Sequence, residues 1–69
     1  MEYIVKVDKV GAATVADIVQ PNCMLQGADL GVRHLIESKA LDFAITNKLS
    51  FPVHVKVNIK ATVDSYAEG

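Results

Sequence analysis

This 69-residue chain lacks most of the devices that hold a small domain together. It has a single cysteine, Cys23, which excludes an intrachain disulfide. Cys23 and the two histidines, His34 and His54, show no ligand spacing such as C-x₂-C or i, i+4, so no metal site is expected. Tryptophan is absent, and the aromatics are only Tyr3, Phe43, Phe51 and Tyr66. Tyr3 and Phe51 share the parity of their strands' apolar positions, which argues against an exposed stacking platform for bases. No apolar run reaches the roughly 18 residues of a membrane helix. No apolar signal segment follows Met1-Glu2-Tyr3-Ile4-Val5-Lys6. A cytoplasmic setting is the expectation.

Catalytic signatures are missing as well. There is no G-x-S-x-G elbow and no Gly-rich phosphate loop. The two glycines of Gly27-Ala28-Asp29-Leu30-Gly31 flank an acid and read as an ordinary helix start, not an anion site. Arg33/Glu37 and Lys39/Asp42 have the spacing of surface ion pairs on a helix. We therefore assign no catalytic residue and no cofactor, and expect a protein that is not an enzyme.

Neither sign of charge is in large surplus. The net charge is −1, which argues against a protein devoted to nucleic acid. The distribution is uneven, however. Residues 50–60 carry only Lys56 and Lys60, and residues 11–31 only Asp17 and Asp29.

What the chain does have is apolar material, at 51% of residues. Ordering a chain of this size costs on the order of 100 kcal/mol, which apolar burial must offset. A small single domain buries a modest fraction of its surface. The excess points to a second chain covering an apolar patch.

The clearest pattern runs from Val53 to Val63. Odd positions (Val53, Val55, Val57, Ile59, Ala61, Val63) are apolar and even positions (His54, Lys56, Asn58, Lys60, Thr62) are polar. A period of two predicts one long β-strand with a buried and a wet face. Residues 2–8 predict another, with Tyr3, Val5 and Val7 alternating against Ile4, Lys6 and Asp8. Residues 9–20 allow two readings. Thr14 can cap a short helix ending at Pro21, or Gly11 can turn a hairpin into a second strand; the short helix is preferred. Residues 21–28 read as a loop, with Asp29 as N-cap of the next helix.

Residues 30–48 have helical composition. Val32, Leu35, Ile36 and Phe43 fall on one face, and Leu30, Leu41, Ile45 and Leu49 on roughly the opposite one. A helix on a sheet needs one apolar stripe. Two stripes predict either a break near Ser38-Lys39 or a helix sandwiched between the sheet and another subunit. Residues 64–69 read as a frayed polar tail.

The expectation is thus a single α+β domain over residues 1–69, β-α-α-β in outline, with helices on one face of a small antiparallel or mixed sheet. It is expected to form a homo-oligomer, most simply a dimer. The expected role is a non-enzymatic protein-interaction module (an inhibitor, adaptor or assembly subunit, of the kind phages and mobile elements also encode). Its candidate interface is Leu41, Ile45 and Leu49 with the edge of the last strand, including Val53, Val55 and Val57. The alternative is a nucleic-acid-binding dimer using Lys6, Lys56 and Lys60 on a basic sheet face. No membrane partner is expected.

Overall fold

In the computed structural model, which describes residues 2–20, 30–58 and 60–68, the alternation at the start of the chain becomes strand β1 (Glu2–Val10). Tyr3, Val5 and Val7 are buried on one side of it. Gly11 then adopts φ 64, and the register joins Val10 to Ala13 across a two-residue loop. Glycine at the first loop position is what a tight hairpin of this length requires. The chain returns as β2 (Ala13–Gln20), antiparallel to β1. The short helix expected in residues 9–20 is therefore corrected to a strand. Its β-branched residues Thr14, Val15, Ile18 and Val19 suit a pleated surface better than a helix.

Helix α1 (Leu30–Thr46) is continuous through Ser38 and Lys39. Its buried seam is Ile36, Ala40 and Ala44, at i, i+4 and i+8. This seam lies between the two expected stripes. Methyl side chains at Ala40 and Ala44 let the helix axis approach the sheet, so shape rather than side-chain size selects the buried face. Phe43, Leu41 and Leu49 pack against the edge of that core. The helix ends with Lys48 at φ 54, Leu49 N–H donating to Ala44 C=O at 3.0 Å and Lys48 N–H to Ile45 C=O at 3.2 Å. This paired bonding with a left-handed residue satisfies the last carbonyls and stops the helix.

β3 (Val53–Asn58) follows, with Val53, Val55 and Val57 wholly buried under the helix. The long strand expected over 53–63 ends at Asn58. Ala61 N–H donates to the Asn58 carbonyl at 2.8 Å, and the Asn58 side-chain oxygen accepts from Lys60 N–H at 2.9 Å and Thr62 N–H at 3.3 Å. Ala61 takes the left-handed conformation, φ 61, and turns its methyl back into the core. The expected tail is β4 (Val63–Glu68), paired antiparallel with β3.

The sheet order is β2-β1-β3-β4, all antiparallel, and among the described residues one helix lies on one face. The architecture is ββαββ, and the expected β-α-α-β outline with two helices is overturned. A β-hairpin replaces the first helix, and a second hairpin replaces the long last strand. Among the described residues, no helix is long and apolar enough to cross a membrane.

Candidate functional site

The helix covers one face of the sheet, and among the described residues no element layers the other. The register arranges that open face in cross-strand rows. Asp17, Lys6, His54 and Ala67 form one row; Ile4, Lys56 and Ser65 form the next. Asp8 faces Val15, and Glu2 faces Asn58. Lys56 Nζ lies 3.4 Å from Glu2 Oε1, with both groups well exposed. The Asn58 side-chain N–H donates to Asp64 Oδ1 at 3.1 Å.

These rows bear directly on the expected basic face. Lys6 and Lys56 do share it, but with Glu2, Asp8 and Asp17 interleaved among them. Lys60 stands apart in the turn after Asn58. The surface is charge-alternating. Phosphate backbone recognition relies on accumulated positive charge, which this arrangement does not concentrate.

The expected protein interface is also redistributed. Val53, Val55 and Val57 are fully buried within the chain, so their side chains form core and offer no surface. β3 is an inner strand, flanked by β1 and β4, so it presents no open edge. Strand order, which sequence alone does not reveal, is the physical reason for this correction. Leu41 and Leu49 are partly buried against the core, whereas Ile45 is 53% exposed. The side chain of Leu30, Cys23, the 21–28 loop and the Asp29 cap lie outside what the structure describes. His34 is exposed on α1 and His54 half-buried on the sheet. Among the described residues, no three His, Cys, Asp or Glu side chains group as a metal site.

The outer strands β2 and β4 own the two edges. β2 is long, and only Ile18 of its side chains is buried. Val15 and Val19 are exposed on it, and Val10 is 65% exposed on β1 at the same hairpin. Val10, Ala13 and Val15 cluster on the open face near the Gly11 turn. A bulge interrupts the ladder at Val19, between the Ile4–Gln20 and Val5–Ile18 pairs.

Sequence reasoning passes over this hairpin because it favours the helical reading of residues 9–20. The hairpin alternative at Gly11 is the available signal. No family model, curated protein or solved structure matches the chain. The reading of function consequently rests on geometry alone.

Proposed function

We propose that this chain is a non-enzymatic protein-interaction module that acts as an oligomer, in a cytoplasmic setting. The observation that carries the reading is the outer edge of β2. Eight residues of strand carry exposed valines and, among the described residues, no strand pairs with their outer side. Unpaired N–H and C=O groups along an edge favour addition of a further strand, and natural edges are normally shielded by lysine, proline or a covering segment. Asp17 is the only charged side chain on β2.

The apolar excess supports the same reading. Val32, Leu35 and Ile45 remain exposed on α1, in addition to the valines of the first hairpin. A role as small inhibitor, adaptor or assembly subunit fits a 7.4 kDa chain whose main resource is surface.

Sedimentation of the purified chain across the micromolar range tests the proposal. The expected result is a mass that rises with concentration to a multiple of 7.4 kDa. A constant single-chain mass throughout that range overturns the oligomeric reading.

A further inference from the structure

The first hairpin dictates which groups β2 turns outward. Residues flanking a two-residue loop exchange both of their backbone hydrogen bonds, and pairs then alternate along the ladder. Val10 and Ala13 flank the loop here. Val15 and Asp17 therefore bond inward to β1. Thr14, Ala16 and Ile18 direct their N–H and C=O groups away from the sheet. The loop bounds this row on one side and the bulge at Val19 on the other. Its midpoint is Ala16.

A row symmetric about one residue is its own complement under a twofold axis. Of the symmetric antiparallel registers that join outward groups to outward groups, three pair more than one residue of the row. Centring on Asp17 sets two carboxylates directly opposite each other in a close non-hydrogen-bonded pair, which is unfavourable. Centring on Val15 places Ile18 against Ala12 in the loop and leaves its outward groups without a strand partner. Centring on Ala16 uses the whole row: Ala16 meets Ala16, Thr14 meets Ile18, and Asp17 meets Val15.

We propose that a second copy of this chain adds to β2 in this Ala16-centred antiparallel register, making one eight-stranded sheet. The proposal rests on the oligomeric reading and specifies its geometry. Two further observations agree with it. The alanine side chain on the axis keeps the meeting point of the two helix-bearing faces small. The Phe43–Tyr66 ring contact, with centroids 5.3 Å apart, sets the Phe43 flank of α1 over β4. By helix geometry the Leu41 flank then lies toward β2, with Ile45 beside it. Joining the sheets at β2 brings the two Leu41–Ile45 flanks toward each other on the same face.

Cross-linking in a Cys23→Ser background tests the register. Opposed residues of a hydrogen-bonded pair have Cα atoms about 5.5 Å apart, within the reach of a disulfide. Ala16→Cys should give a covalent dimer under mild oxidation, and Ala13→Cys, six residues out of register with itself, should give little. Ala16→Pro removes an N–H that β1 does not use. With the circular dichroism of the fold retained, it should weaken association roughly tenfold or more. If that variant does not fold, Val15→Glu, at an exposed side chain that faces Asp17 of the second copy, should produce a comparable loss by setting like charges opposite each other. A sedimentation mass above one chain without selective cross-linking of the Ala16→Cys variant overturns this interface and leaves the oligomeric reading standing. A single-chain mass at every concentration overturns both.

Discussion

The two outer strands have similar backbone pairing to an inner neighbour but are secured by different means. β4 is tied by side chains at each end and in the middle. Asp64 accepts from Asn58, Tyr66 packs its ring on Phe43, and Glu68 Oε2 accepts from Ser50 N–H at 2.8 Å. It is also short and carries two carboxylates and a register irregularity, the features that blunt an edge. β2 is longer and depends on its ladder to β1 and on one buried side chain, Ile18. The lesson is that a longer ladder does not make a more finished edge. A strand anchored by several side chains is finished within its own chain, whereas one that leans mainly on its ladder still has surface to satisfy.

Four substitutions probe that contrast, each by equilibrium denaturation unless stated. Ile18→Ala should cost the most, about 3 kcal/mol, because it empties the one buried side-chain site on β2. A cost nearer 1 kcal/mol would mean that β2 has anchors besides Ile18, and the contrast would weaken. Next is Asn58→Ala, about 1–2 kcal/mol, since one side chain accepts two turn amides and donates to Asp64. Hydrogen exchange should then report faster opening of β4 with β2 unchanged.

Lys48→Gly should stabilise by about 0.5–1 kcal/mol. The relief of a left-handed lysine exceeds the added freedom of glycine in the unfolded chain. Ala61→Gly should lie within about 0.5 kcal/mol of neutral, despite the similar backbone angle. The Ala61 methyl is buried, and losing about 0.8 kcal/mol of apolar burial offsets a strain relief of about 1 kcal/mol. If Ala61→Gly matched Lys48→Gly, the methyl would contribute nothing to the core.

How much of this is legible in the sequence differs by element. β1 and α1 are visible because alternation and helical composition are local properties, and both elements follow them. The hairpin at Gly11 is open to two readings because seven residues with mixed spacing suit either period. The turn after Asn58 is hidden for a sharper reason. Polar and apolar residues keep alternating through it, and the left-handed position holds Ala61 where a glycine would have signalled the bend. β4 reads as a tail because its anchors, Phe43 and Ser50, are distant in sequence. The candidate site suffers most. Val57 and Val15 look alike in a sequence, yet one is core and the other lies on an edge strand, and only the order β2-β1-β3-β4 separates them.

The same strand order has a mechanical consequence. β1 and β4 run parallel on either side of β3, with Glu2 level with Asn58 and Glu68 level with Val53. Glu2 and Glu68 therefore sit at opposite ends of the sheet. Tension applied between them slides β1 and β4 lengthwise along β3, loading both ladders in shear. Their hydrogen bonds must yield together rather than unzip one after another, so the three-strand unit should resist stretching far better than β2 resists being peeled away.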